Sequence, residues 1–426
     1  MNPTEPTCTE DAPRFRLLPS RRWYLIALIF LVALINYFDR QSLSVIAPRF
    51  QALFHLSDEG YGHIVSLFLL ASAFSYAIAG VVTDWLGTRA SMAIFVGWWS
   101  AAEAATAIVR TAGQLAVARF CLGLGEPGLW VVAPKVVGET LPKKDHSLAI
   151  GVYTLGSTVG AVIALPAIAA IVAHLPWKTV FVIDGTAGLL WLPLWLSAYP
   201  SVRKSTSESA RVRAVAQPSL RAVLANATTW RFMVARGLTD PIWYFLLFWY
   251  PKYMFSARHL TLAHLARMGW LVYLFAGAGT LLGGFVSGRF IQGGLTPAQT
   301  YRRVMFCCAA LLPLSPLAAT LPNVMASVLI ASVIALAHMA WLVTLSASIV
   351  HLFPSSQLGT AFGLIAAGSG FGGMVSMEII GRVVMAHGYL PLFFAMMFLH
   401  PIALALLWSS LRERDKKTLR NDHVSS

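Results

Sequence analysis

Charged side chains stand inside stretches of this sequence that are otherwise apolar and long enough to cross a bilayer. The stretch LINYFDRQSLSV places Asp39 and Arg40 side by side, and ARFCLGLGEPG carries Arg119 and Glu126. An ionised group at the centre of a bilayer costs about 2.5 to 3.5 kcal/mol, so such residues normally face protein or water and serve a function. These four side chains are therefore the first candidates for chemistry.

The depths of these residues can be compared along their helices. With a rise of about 1.5 Å per residue, Arg40 lies roughly 25 Å from the start of the first span. Arg119 lies roughly 9 Å from the start of the fourth span, which enters from the opposite surface. In a membrane about 30 Å thick the two arginines reach a similar level. Glu126 follows Arg119 by two helical turns on the same face, so the sequence predicts that these groups share one cavity.

These side-chain types suit the binding of an organic anion together with a proton. The arginine fork can hold a carboxylate through two hydrogen bonds, and a carboxyl group in a poorly hydrated site can take up a proton. The neighbouring Asn36 and Tyr37 are further candidate substrate ligands on the same helix. The alternative is that Asp39, Arg40, Arg119 and Glu126 only neutralise one another and hold the helices together.

The elements that must position these residues are transmembrane helices. The chain has 426 residues, of which 57% are hydrophobic and 12% charged, with a mean hydropathy of +0.67. This composition predicts an all-α integral membrane protein with twelve spans. The predicted spans are 23–47, 61–82, 90–109, 113–137, 149–171, 179–199, 230–254, 266–291, 303–321, 324–351, 358–385 and 389–411.

The net charge of +14 follows from topology rather than from nucleic-acid binding. Basic residues lie in short loops, and the bias is roughly three to one if both termini are cytoplasmic. A polar, basic stretch after the sixth span separates two sets of six helices. The predicted organisation is an N-terminal tail (1–22), a six-helix bundle (23–199), a cytoplasmic linker (200–229), a second bundle (230–411) and a C-terminal tail (412–426).

The loop between spans 2 and 3 carries the pattern G-x-x-x-D-x-x-G-x-R in the stretch GVVTDWLGTR. Gly80 allows close helix contact, Gly87 permits a tight turn, and Asp84 can interact with a helix N-terminus. Arg89 can meet a headgroup or a carboxylate. We interpret the four residues as a gating loop.

With this loop motif the sequence resembles the major facilitator superfamily. The stretches NYFDRQSLSV, VARFCLGLGE, LTDPIWYFLLFWYPKY and GSGFGG also resemble the anion:cation symporter family, and within it the bacterial hexuronate transporters. The resemblance implies two six-helix bundles, alternating access and proton-driven uptake of organic anions across the inner membrane. It implies proton coupling by Asp39 and Glu126 and anion binding by Arg40 and Arg119.

Span 7 offers a second set of candidates. Arg236 and Asp240 stand four residues apart, and this spacing favours a structural clamp over a gate. Trp243 and Tyr244 follow at the kink that Pro241 predicts, and their rings could pack against a sugar, although a lipid-facing role is equally compatible.

Span 10 places His338 and Trp341 on one helix face, where the resembling family tends to have the same residue types. Both are candidate substrate ligands, with core packing as the alternative for His338. Glu103 in span 3 and Asp184 in span 6 also lie at membrane depth. Neither has an evident partner in the sequence, so we expect structural roles for them.

The functional hypothesis is proton-coupled symport of an organic carboxylate, with a hexuronate or related sugar acid as the expected substrate. The chain lacks asparagines that the hexuronate subgroup usually shows, with Leu129 or Trp130 and Thr154 and Thr158 instead. An aromatic or small dicarboxylic acid is therefore an alternative substrate, and a proton-driven exporter is an alternative mechanism. We expect no enzyme activity, no cofactor beyond the proton gradient, no metal site, no nucleic-acid partner and function as a monomer.

Overall fold

The computed structural model describes residues 18–142, 145–200, 220–353 and 355–422. Within these ranges the chain is almost entirely helical and forms twelve long helical segments, which we number as spans 1 to 12. Spans 1 to 6 are Pro19–Phe54, Asp58–Leu86, Thr88–Thr106, Ala112–Gly125 with Pro127–Thr140, His146–His174 and Lys178–Ala198. Spans 7 to 12 are Ala227–Phe248 with Tyr250–Ser256, Leu262–Met268 with Trp270–Gln292, Pro297–Leu311 with Ser315–Thr320, Val324–Leu352, Ser355–His387 and Leu390–Asp422. A short helix, Leu220–Ala225, precedes span 7.

The predicted all-α membrane fold is confirmed. In the described ranges, nine segments are long and apolar enough to cross a membrane by length and composition. Spans 2, 3 and 7 fall outside that criterion, but they pack alongside the others, span 2 and span 7 against span 11 and span 3 against span 6. Most of the charged linker and of the N-terminal tail, and the last four residues of the C-terminal tail, lie outside the described residues.

Helix packing divides the chain into two halves. In the first half span 1 packs against span 5, span 2 against span 4 and span 3 against span 6. In the second half span 7 packs against span 11 and span 8 against span 10. The halves meet where span 2 contacts span 11 and span 5 contacts span 8. The interface between the halves therefore includes spans 2, 5, 8 and 11.

Glycines permit the closest of these helix approaches. A Cβ atom on Gly156 of span 5 would stand 2.3 Å from the carbonyl oxygen of Phe30 in span 1. A Cβ on Gly372 of span 11 would stand 2.2 Å from the carbonyl oxygen of Gly237 in span 7. Real Cβ atoms do not approach backbone this closely, so these positions require glycine.

At one end of the helical body, ion pairs and hydrogen bonds join the two halves. We call the end where span 1 begins the terminal side and the end where span 1 ends the opposite side. On the opposite side, Asp58 pairs with Lys252 at 2.5 Å, and the Tyr61 hydroxyl donates to the carbonyl oxygen of Phe248 at 2.7 Å. Glu59 and Arg382 form a further ion pair between spans 2 and 11 there at 3.0 Å, and the His63 ring lies at hydrogen-bond distance, 2.8 Å, from the Glu378 carboxylate. These bonds close the opposite side.

Candidate functional site

The centre of the site is an ion pair between spans 1 and 4. The Arg40 Nε atom donates to Glu126 Oε2 at 2.5 Å, and the two residues are 8% and 0% exposed. The guanidinium also lies over the Tyr37 ring at 5.2 Å and the Phe68 ring at 5.8 Å. Glu126 stands at the junction of the two helices of span 4, immediately before Pro127, and this break presents its carboxylate to span 1.

Arg119 has a different partner from the one that helix periodicity predicts. Its Nη2 atom donates to Glu103 Oε2 at 2.5 Å and to the Thr106 hydroxyl at 2.9 Å, and its guanidinium lies 5.6 Å from the Phe181 ring. The structure thus supplies the partner of Glu103 that was not evident from the sequence. Periodicity along one helix could not reveal this pair, because span 3 packs against span 4 and brings Glu103 in from the side.

A small cavity lies between the two arginines, at the level that their depths predict. Arg40 and Arg119 both line it. The remaining lining residues are apolar and come from both halves: Leu43, Val65, Phe68, Leu122 and Phe248. The cavity has a volume of about 10 Å³, so an anion can bind the two cations only if the carboxylates paired with them and the surrounding side chains move apart.

Asp39 points to a different set of groups from its neighbour Arg40. Carboxylate oxygens of Asp39, Glu103 and Asp184 all lie within 4.8 Å of one another, although the residues come from spans 1, 3 and 6. Asp39 is 1% exposed, and both its carboxylate oxygens lack a hydrogen-bond partner among the described residues. The fold thus brings Asp184, for which no neighbour was evident from the sequence, to two other acids.

Span 7 supplies the charged groups of the second half. Arg236 pairs with Asp240 at 2.9 Å, as the spacing of four residues predicts. The Tyr244 hydroxyl lies 2.8 Å from the Ser369 hydroxyl of span 11. Arg236 and Arg40 both act electrostatically on the Tyr76 hydroxyl of span 2.

The other predicted ligands of the second half form a chain of rings. Trp243 is 7% exposed and stands parallel to His338, with ring centroids 6.4 Å apart. His338 Nδ1 lies 3.3 Å from Nε2 of His400 in span 12, and the His400 ring meets Trp341 edge to face at 4.9 Å. His338 and Trp341 are fully buried, so this set is closed to solvent in the present conformation.

On span 1, the candidate ligands Asn36 and Tyr37 differ in their surroundings. Asn36 is fully buried, and its amide has no hydrogen-bond partner among the described residues. Tyr37 meets the Trp130 ring edge to face at 6.0 Å, whereas Leu129 is buried in the core. Trp130 is therefore the residue of that pair that stands beside the site.

The predicted gating loop has the expected turn at Gly87 but not the expected close contact at Gly80. Gly87 ends span 2 with φ +84°, a left-handed conformation that glycine adopts readily, so the predicted tight turn is present. Arg89 donates to the Leu196 carbonyl oxygen at 2.5 Å. The expected close contact at Gly80 is absent, because no described atom lies within 4 Å of a Cβ built there. The side chain of Asp84 lies outside the described residues.

Comparison with known proteins identifies the family. Residues 29–297 match the sequence model of the Major Facilitator Superfamily. The chain belongs to this family. Its fold is similar to that of a bacterial homolog of the human lysosomal transporter Spinster in an inward-facing, unoccupied conformation. The TM-score is 0.74 at 19% sequence identity, and the alignment covers 93% of this chain and 98% of that chain. The family consists of transporters, so the expectation that this protein is not an enzyme is confirmed.

Characterised proteins with similar sequences indicate a subgroup within this family. The hexuronate transporter of Escherichia coli K12 is 27% identical over 94% of this chain and 96% of its own length. The galacturonate transporter of Dickeya chrysanthemi is 30% identical over 69% of this chain and 90% of its own length. The predicted resemblance to bacterial hexuronate transporters is therefore confirmed.

Several residues beside the site carry no strong sequence signal. Tyr76 follows Ser75 in a largely apolar stretch, Ser369 stands among glycines, and His400 follows ten apolar residues of span 12. A polar side chain at membrane depth was the available clue for each of them. Which of them face one another depends on helix rotation, which periodicity leaves open when a span is apolar all round.

Proposed function

We propose that this protein imports a sugar acid, with a hexuronate as the expected substrate, across the cytoplasmic (inner) membrane together with protons. It works as a monomer by alternating access, without a bound cofactor, and both termini lie in the cytoplasm. The observation that carries the proposal is the buried Arg40–Glu126 pair beside a cavity between the two halves.

The exchange of partners at Arg40 couples the anion to a proton. A substrate carboxylate can bind the Arg40 guanidinium only if Glu126 releases it, because two carboxylates at one guanidinium would repel each other. Glu126, left without a cation in an apolar surrounding, then takes up a proton. Anion and proton therefore bind together, and the loaded site carries no more charge than the empty one.

The surroundings of Arg40 favour a hydroxylated ring or chain as the rest of the substrate. Tyr37, Trp130, Tyr76 and Tyr244 supply flat aromatic faces and phenol hydroxyls, and Ser369 adds a hydroxyl on span 11. Aromatic rings pack on the apolar faces of sugars, while hydroxyl groups bond to their edges. The names of the relatives, hexuronate and galacturonate transporters, agree with this chemistry.

The distribution of bonds between the halves supports one access state. Ion pairs of Asp58 with Lys252 and of Glu59 with Arg382 close the opposite side, which we take to be periplasmic. If the termini are cytoplasmic, the conformation is closed to the periplasm. Uptake then requires these pairs to break so that substrate can enter from outside.

The test is uptake of labelled galacturonate by proteoliposomes with an imposed pH gradient, acidic outside. We expect wild-type accumulation, a loss of at least tenfold in Arg40→Gln, and partial activity in Arg40→Lys, because lysine retains the charge without the fork. Arg110→Gln, at an exposed loop arginine, is the matched control and retains wild-type uptake. Normal transport by Arg40→Gln would contradict the proposal.

Competition separates the alternatives. Excess unlabelled glucuronate should block labelled galacturonate uptake, whereas benzoate or succinate should not. Stronger competition by benzoate or succinate would favour the aromatic or dicarboxylic alternative. A pH gradient of the reverse sign that drives uptake faster would indicate proton antiport and hence export.

A further inference from the structure

Four titratable side chains join spans 2 and 11 at the opposite side, away from the buried centre. Glu59 and His63 stand one helical turn apart on span 2, and Glu378 and Arg382 stand one turn apart on span 11. Arg382 Nε donates to Glu59 Oε1 at 3.0 Å, and His63 Nδ1 lies 2.8 Å from Glu378 Oε1. The contacts are therefore two successive bonds between the halves. We call these four residues the edge cluster.

The edge cluster is open to water. The side chain of His63 is 60% exposed and that of Arg382 is 68% exposed. Histidine is the side chain whose charge ordinarily changes between pH 5 and 8. A proton can reach His63 directly from the medium on the opposite side, without passing through the central cavity.

The charge balance of the edge cluster depends on the protonation of His63. With a neutral imidazole, the carboxylates of Glu59 and Glu378 face a single cation, Arg382. With an imidazolium, two cations face two carboxylates, and each contact between the helices joins opposite charges. A neutral imidazole can also donate a hydrogen bond to Glu378, but a charge-assisted bond is roughly twice as strong.

Neighbouring elements hold the other charged groups of this region in contacts of their own. Lys252 of span 7 pairs with Asp58 at 2.5 Å and donates to the Tyr389 hydroxyl, just before span 12, at 3.3 Å. Spans 3 and 4, which pack against span 2, bring the buried pair of Glu103 and Arg119. Among all these groups, the histidine of the edge cluster is the one whose charge ordinarily changes between pH 5 and 8.

We propose that His63 and Glu378 form a pH-dependent latch. Protonation of His63 from the opposite side holds the two halves together there, and loss of the proton weakens their contact. Span 2 belongs to the first half and span 11 to the second, so the bond exists only while this side is closed. An imidazolium that gains a partner only in the closed state shifts the balance towards that state.

The inference goes beyond the proposed function, because it concerns the regulation of a gate rather than the binding of a sugar acid or its proton. If the opposite side is periplasmic, external acid has two opposing effects. It drives uptake through the pH gradient, and through the latch it slows the opening that admits substrate from outside. The latch would thus limit uptake in strongly acidic surroundings.

The experiment measures the separation of the halves at the opposite side as a function of pH. Spin labels replace two exposed residues, Leu53 near the end of span 1 and Leu390 at the start of span 12, in a protein whose native cysteines are changed to serine. Double electron–electron resonance on the purified protein without galacturonate gives the ratio of closed to open molecules. We expect this ratio to be about two- to fivefold higher at pH 5.5 than at pH 8, as suits an exposed ion pair.

Matched variants separate the latch from other pH effects. His63→Gln and Glu378→Gln should lose the difference between the two pH values that the latch contributes. His63→Arg keeps a cation at both values and should stay as closed at pH 8 as the wild type is at pH 5.5. His174→Gln, at an exposed histidine that ends span 5, should keep the wild-type response. Any pH dependence of the buried acids is common to all these proteins, so the comparison isolates His63.

Two results for His63→Gln would overturn the inference: a pH response equal to that of the wild type, or a loss of the closed state that is equally large at pH 5.5 and pH 8. A further measurement needs no substitution in the edge cluster. In 1 M NaCl the wild-type pH response should shrink, because salt screens exposed charges. A response that salt leaves unchanged would also overturn the latch. Each of these outcomes leaves the proposed function intact, since that is tested by galacturonate uptake in Arg40→Gln.

Discussion

Replacement of Glu126 by glutamine should tighten the binding of a sugar acid and remove its pH dependence. In the structure Glu126 accepts a hydrogen bond from Arg40 at 2.5 Å, and both side chains are buried. A substrate carboxylate must therefore displace the Glu126 carboxylate before it can bind this arginine. Glutamine keeps the size of the side chain but cannot compete as an anion.

The magnitude follows from the kind of bond that is removed. A hydrogen bond to a charged group contributes about 1.5 to 3 kcal/mol to stability. If the substrate no longer has to replace such a bond, its dissociation constant should fall roughly 10- to 100-fold. The folded protein is expected to become less stable by about 3 to 5 kcal/mol, since Arg40 is left buried without its partner until substrate binds.

Calorimetric titration of the purified protein with galacturonate at pH 6 and pH 8 provides the assay. Wild-type affinity should weaken at the higher pH, by at most about tenfold per pH unit for each proton taken up with the anion. Glu126→Gln should bind equally well at both values, and Asp145→Asn should follow the wild type. A variant that binds more weakly than wild type, or that keeps the full pH dependence, would refute the exchange of partners at Arg40.

Three further predictions concern the gate, the helix packing and the ring chain. Lys252→Met removes the bond between the halves to Asp58 and should destabilise the closed opposite side by about 1 to 2 kcal/mol. A cysteine introduced at Val65 should then react faster with a membrane-impermeant thiol reagent added outside. An unchanged reaction rate would argue against a gate at this pair. Gly372→Ala should lower the unfolding free energy by about 1 to 3 kcal/mol, because the new Cβ would stand 2.2 Å from the Gly237 carbonyl oxygen. Gly80→Ala should change the unfolding free energy by less than about 0.5 kcal/mol. Equal shifts in melting temperature for the two variants would contradict the packing described. His400→Phe removes the bond to His338 and should weaken galacturonate binding, because His338 and the Trp243 ring beside it would no longer be held in place. Cys307→Ser, at an exposed position, should bind galacturonate like the wild type. Identical galacturonate binding by the two variants would leave His400 with a packing role only.

The depth of the charged residues could be predicted from the sequence, but their partners could not. Arg40 and Arg119 line the same cavity because depth depends only on rise per residue and the direction of each span. The partner of Arg119 depends instead on how span 3 is rotated and on its packing against span 4. Glu103 is therefore the carboxylate bound to Arg119, whereas Glu126 turns towards span 1.

In the second half and in the loops, too, contacts within one helix or turn could be predicted from the sequence, whereas contacts between helices could not. The Arg236–Asp240 pair was predictable because both residues lie on one helix four positions apart. The contact between His338 and His400 was not, since it joins spans 10 and 12 across 62 residues of sequence. The turn at Gly87 follows from local chain geometry, while the contacts of Gly80 depend on how span 2 packs against other helices, which the local sequence does not determine.

Coupling of an anion to protons at the Arg40–Glu126 pair is the central claim, and one measurement tests it directly. Proteoliposomes with a pH-sensitive dye inside and no imposed gradient are mixed with external galacturonate. We expect influx of the sugar acid to acidify the interior of proteoliposomes that contain the wild-type protein. In proteoliposomes with Arg40→Gln, neither influx nor acidification should occur. Galacturonate influx without acidification, or with a rise in internal pH, would contradict it.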